Sequence, residues 1–147
     1  MKKTSLTLVF FLLLAFTSHA QVSLGNDIIG SWQVVGGEIQ TPKAPKGQTS
    51  QIEAYKQMFL HSIFVFKSDN NFNLDIQIDE LKIQNGHWKY NAASNSYQIQ
   101  QWADKEKNNS FLMEIVVKKE GDNVYFILPV DELLPAKFKF AFLVKKI

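Results

Sequence analysis

The chain has 147 residues, 16 lysines against 14 Asp and Glu, no arginine and no cysteine. Without cysteine there is neither a disulfide framework nor a lipid anchor on a cysteine, and a domain of this size must be held by its core alone. Without arginine there is no planar fork for clamping carboxylates or phosphates, and charges of both signs are interspersed, so nucleic acid is excluded as an electrostatic partner.

The first twenty residues read as a secretory signal peptide. Met1-Lys2-Lys3 is a basic start, residues 6–16 are an apolar run broken only by Thr7, and Ser18 and Ala20 flank His19 as a small-x-small cleavage site. The run is too short to cross a bilayer about 30 Å thick. Cleavage is expected after Ala20, leaving residues 21–147 as one domain, periplasmic or secreted, with no membrane anchor. Losing Lys2 and Lys3 brings the net charge to about zero.

Residues 30–39, opening on Gly30-Ser31-Trp32, read as a strand that loosens at Gly36-Gly37. Residues 41–47, with Pro42, Pro45 and Gly47, form a loop. Residues 50–61 read as a short helix: Ser50 and Glu53 have capping-box spacing, and Ile52, Tyr55, Met58 and Phe59 share one face. His61 is expected to cap its last carbonyls.

From residue 63 the period changes to two. Residues 63–66 are an apolar strand, residues 68–71 a turn, and Phe72, Leu74, Ile76 and Ile78 alternate with polar residues. A short segment at 81–83 precedes Asn85-Gly86, a hairpin signal. Further strands are expected at 87–90, 97–102, 111–118 and 124–128, and at the C-terminus, where Phe138, Phe140, Phe142 and Val144 alternate with Lys137, Lys139, Ala141, Leu143 and Lys145. About eight to ten short strands with one early helix predict an all-β, antiparallel barrel or sandwich.

Gly30-x-Trp32 at the head of such a domain resembles the Gly-x-Trp motif of lipocalins and the wider calycins. The phrase Phe64-x-Phe66-Lys67-x-Asp69-x-x-Phe72, followed by Gly86-x-Trp88, is similar to small exported bacterial lipocalin-like proteins. The resemblance covers residues 28–147. It implies a barrel with Trp32 across the closed end and a small ligand inside. Lipocalins usually place an arginine over that tryptophan; Lys145 or Lys146 is the nearest substitute here. The Thr-Asp-Tyr motif of the family's central region is absent.

For catalysis, there is no Gly-x-Ser-x-Gly elbow, and His61 and His87 are the only histidines beyond residue 20. His87 alternates with Trp88 and faces solvent if Trp88 points inward. Asp79-Glu80 and Asp131-Glu132 are adjacent pairs, which a strand sends to opposite faces, so neither is a ready acid–base dyad. For metal, no paired-histidine spacing exists, and a solvated sheet face accounts for Asp75, Gln77 and Asp79; Asp69 and Glu80 add no such spacing. No cofactor, metal site or enzymatic activity is expected.

The aromatic residues carry the functional reading. Tyr55, Phe59, Phe64, Phe66, Phe72, Leu74, Trp88, Tyr90, Phe138, Phe140 and Phe142 either line one cavity or fill a solid core. The first alternative is a non-enzymatic binder of a small apolar or amphipathic molecule, with residues 50–61 as a lid. The second is a structural or protein-interaction module acting through its edge and the loops at 41–47, 104–109 and 129–135.

Overall fold

The computed structural model describes residues 24–40, 49–101, 112–129 and 139–147. The leader at 1–20, most of the three loops and Phe138 lie outside the described residues. The eight strands are β1 (Gly30–Gln40), β2 (Ile63–Phe66), β3 (Asn71–Asp75), β4 (Ile83–Asn91), β5 (Ser96–Gln100), β6 (Met113–Glu120), β7 (Asn123–Pro129) and β8 (Lys139–Lys146). Each pairs antiparallel with the next, and β8 returns to β1, closing an up-and-down barrel. A helix, α1 (Thr49–Phe59), lies between β1 and β2, and 3₁₀ turns occur at Gly25–Ile28 and Asp79–Leu81.

Strand alternation sets the wall. Ile63 to Phe66 alternate half-buried and buried, as do Asn71 to Leu74, so Phe64, Phe66, Phe72 and Leu74 point inward. Cross-strand register carries this face around the barrel: Trp32 opposes Phe64, Tyr97 opposes both Tyr90 and Ile115, Val117 opposes Phe126, and Phe126 opposes Phe142. A fully buried Phe contributes roughly 1.5–3 kcal/mol relative to an exposed one.

One end of the barrel is plugged. Gly25–Ile28 crosses it, and Ile28 is fully buried. The Trp32 indole N–H donates to the Ile28 carbonyl at 2.8 Å. Lys146 lies over the Trp32 ring, 5.4 Å from its centroid, and donates to the Asp27 carbonyl at 3.0 Å. Of Lys145 and Lys146, it is Lys146 that stands over Trp32. Gly30 permits this approach: its φ is 136°, and a Cβ there would meet Lys146 Cε at 2.6 Å.

Four local expectations are corrected. Asn85-Gly86 is not a hairpin turn but a bulge inside β4, where pairing steps from Phe72↔Gly86 to Leu74↔Ile83. Asn85 takes φ 57°, a left-handed conformation that some bulges share with the type I′ turn, and the Asn73 side chain accepts its N–H at 2.9 Å. The strand expected through Ile78 ends at Asp75, and residues 79–81 are a 3₁₀ turn pinned by Lys82, which pairs with Asp79 at 2.8 Å and Asp75 at 3.7 Å. Ser50 lies inside α1 rather than before it, and Glu53 accepts from Gln57 Nε2 at 3.1 Å instead of closing a capping box. At the end of α1 the Leu60 N–H donates to Gln57 O, and the N–H and hydroxyl of Ser62, not the His61 imidazole, donate to Phe59 O. His61 supplies the left-handed backbone (φ 70°) and donates its N–H to Val34 O.

Trp32 is only 6% exposed and holds the plug together. Trp32→Ala is therefore expected to cost about 3–5 kcal/mol in urea unfolding. A loss under about 1 kcal/mol would contradict its place in the core.

Candidate functional site

The inner wall holds two groups of rings. In the closed half Phe66 is the hub, with ring centroids 5.0 Å from Phe72, 5.9 Å from Trp88 and Tyr97, and 6.0 Å from Phe126. Phe126 extends this group to Trp32 and Phe64, and Tyr97 extends it to Tyr90. Most of these contacts are tilted or edge-on, as ring quadrupoles favour.

The second group lies toward the other end. Phe140 and Lys146 are six residues apart on β8, about 20 Å along a strand. At the Phe140 end, α1 brings Tyr55 to within 4.8 Å of Phe140 and Phe59 to within 5.0 Å of Phe142. Ile52, one turn earlier on the same helical face, is fully buried. The apolar stripe expected of this helix is the face it presents to the barrel. Burial pushes the Tyr55 phenol up from 10.0 to about 12, so its hydroxyl stays protonated at neutral pH.

Of the residues expected to line an interior, Phe64, Phe66, Phe72, Leu74, Phe140 and Phe142 are buried on the wall, and Phe59 on the helix is buried against it. Tyr55 and Trp88 are half-buried against the same core. Trp88 also donates its indole N–H to Lys67 O at 3.0 Å, which anchors it to the β2–β3 turn. Tyr90 is a margin residue, 39% exposed, with its hydroxyl donated to Asn95 Oδ1. Sequence reasoning missed Tyr97, Ile99, Ile115, Val117, Phe126 and Leu128, all buried. Their signal was the simple alternation in β5, β6 and β7, which placed strands without saying which wall residues would matter.

Polar groups are sparse inside. Among the described strand residues, the charged side chains in phase with the inner face are Lys119 and Lys146, both exposed at the plugged end. Tyr97 is 1% exposed, and its hydroxyl has no hydrogen-bond partner among the described residues. Leaving such a group unpaired costs about 1–3 kcal/mol.

The remaining chemistry lies outside. His87, on β4, alternates with the inward Trp88, and His61 follows α1. Asp69 is fully exposed and lowered below its usual value, first by the Asn71 backbone N–H; Asp79 is lowered by Lys82. Among the described residues, no three His, Asp or Glu side chains come together as metal ligands. No described helix is long and apolar enough to cross a membrane. The chain matches no family model, no curated protein and no solved structure.

The Tyr55 shift has a signed consequence. A phenol whose pKa is raised on folding stabilises the protein fully below pH 10 and loses that contribution as pH rises through about 12. Wild-type protein should therefore lose roughly 2 kcal/mol more than Tyr55→Phe between these limits, after allowance for partial solvent access. Parallel stability profiles for the two proteins across that range would contradict the burial of this hydroxyl.

Proposed function

We propose that the protein is an exported, non-enzymatic, lipocalin-like carrier that holds a small apolar or amphipathic molecule inside its barrel. The reading of export rests on the leader pattern of residues 1–20. The observation that carries the reading of binding is the difference between the two barrel ends. One is locked by Trp32, Ile28 and Lys146 through directed hydrogen bonds. Toward the other, among the described residues, α1 packs through the apolar contacts of Tyr55 and Phe59. Contacts without direction re-form easily after opening, which suits a lid; a hydrogen-bonded plug suits a floor. The apolar inner wall supplies the contact area a small ligand needs.

A second reading, a filled structural or interaction module, is favoured by the ring contacts around Phe66, which occupy much of the closed half. In that case function lies on the loops and the outer wall.

The two readings part on a neutral fluorescent probe. N-phenyl-1-naphthylamine should bind with saturation at one site. Replacing both Ile52 and Phe59 with Ser should raise its off-rate more than its on-rate, because a lid gates release. Far-ultraviolet circular dichroism should still report a β protein. Absence of saturable binding to the wild-type protein would overturn the carrier reading in favour of the filled module.

A further inference from the structure

Among the described residues, Tyr97 carries the one buried side-chain polar atom left without a hydrogen bond. It stands on β5 between Tyr90 and Ile115, its ring 5.9 Å from both Phe66 and Trp88. Nearly all buried polar groups in folded proteins are paired, so this exception calls for a physical reason.

An ordered water is a poor one. A buried water needs two to four polar partners. Among the described side chains around Tyr97 the Phe66 ring offers none, the Trp88 indole N–H is committed to Lys67 O, and the Tyr90 hydroxyl spends its hydrogen on Asn95 and keeps only its oxygen as an acceptor. The wall continues through Ile99 and Ile115, both apolar and fully buried. Among the described side chains a water placed here would find at most the Tyr97 and Tyr90 hydroxyls, the lower limit of what a buried water needs. A ligand with a single polar atom has the opposite balance: it satisfies the hydroxyl, and the rest of it meets rings and aliphatic carbons.

Charge narrows the class further. The described inner face carries no charged side chain except Lys119 and Lys146, exposed at the plugged end. Lys146 is already engaged with Trp32 and Asp27. A carboxylate or ammonium brought to Tyr97 would lose its hydration without gaining a counter-ion.

We propose that Tyr97 is the polar anchor of the ligand site, and that the ligand is a compact, neutral, largely apolar molecule presenting one hydrogen-bond acceptor, such as a carbonyl oxygen, to the Tyr97 hydroxyl. This rests on the carrier reading and adds the ligand's chemical class to it.

The test uses three naphthalene derivatives of nearly equal shape, each displacing N-phenyl-1-naphthylamine from wild-type protein and from Tyr97→Phe. The substituents are acetyl, isopropenyl and carboxylate at position 2. Acetyl and isopropenyl differ in little but the carbonyl oxygen. On Tyr97→Phe the ketone should weaken about tenfold, the scale of one hydrogen bond, while the isopropenyl compound binds as before or more tightly. Its retained binding shows that the variant is folded. The carboxylate should bind wild-type protein far more weakly than the ketone. If ketone and alkene respond alike to the substitution, Tyr97 is no ligand contact and the inference falls while the carrier reading stands. A carboxylate that binds as well as the ketone overturns the neutral class. Failure of every compound, the fluorescent probe included, to bind saturably removes the carrier reading and this inference with it.

Discussion

Closure of the barrel is the constraint on which the rest depends. A sheet of eight antiparallel strands has two edges unless the first strand also pairs with the last, and exposed edges invite association. Here β1 does double duty. Gly30 to Gln33 pair with β2, and residues from Trp32 to Gln40 pair with β8. The register shifts between Val34 and Gly36, and this bulge lets one strand bend from one neighbour to the other. Gly37 lies beneath the Phe142 ring, where a Cβ would sit 3.1 Å from Phe142 Cδ1, so the seam is close-packed as well as hydrogen-bonded. Because the seam closes, every inward residue faces other inward residues. That is why the nine buried aromatic rings among the described residues, Phe66 and Phe140 included, can share one interior.

The two ends of this cylinder solve the same problem with different physics. Both must keep water from an apolar bore. The plugged end uses directional bonds: the indole of Trp32 to Ile28, the ammonium of Lys146 to Asp27, and a cation over a ring. Lysine serves where an arginine would offer a flat stacking partner, and it does so through a point charge and an aliphatic stem laid against Gly30. The helical end uses area: Ile52, Tyr55 and Phe59 against Phe140 and Phe142. Between the ends, among the described residues, the Tyr97 hydroxyl is the buried polar group of the wall left unpaired.

Most of the barrel was legible as alternation. The inward positions of β3 and β8 follow from apolar residues two apart, and the place of Trp32 from Gly30-x-Trp32, whereas all four residues of β2 are apolar and only its pairing with β1 and β3 turns Phe64 and Phe66 inward. Other features had no local signature. Asn85-Gly86 encodes a left-handed residue, and only the pairing of β3 with β4 decides between turn and bulge. Ser50 and Glu53 have the spacing of a capping box, but the helix begins one residue earlier, so the spacing falls on the wrong positions. On β5 both faces are buried: Tyr97 and Ile99 inside, Ser96 and Gln98 outside, where Ser96 bonds Glu114 of β6. Alternation alone would have exposed one face. The aromatic interior was legible as a set of rings, whereas the unpaired state of the Tyr97 hydroxyl depends on where the Trp88 and Tyr90 donors go, which is tertiary information.

The seam between β1 and β8 is the most direct test of the account. Nuclear Overhauser spectroscopy on labelled protein should show cross-strand contacts between Val34 and Val144, Gly37 and Phe142, and Glu38 and Ala141, with amides along the seam slow to exchange. Cross-strand contacts confined to β1–β2 and the successive pairs to β7–β8, with none joining β8 to β1, would mean an open sheet and contradict the closed interior.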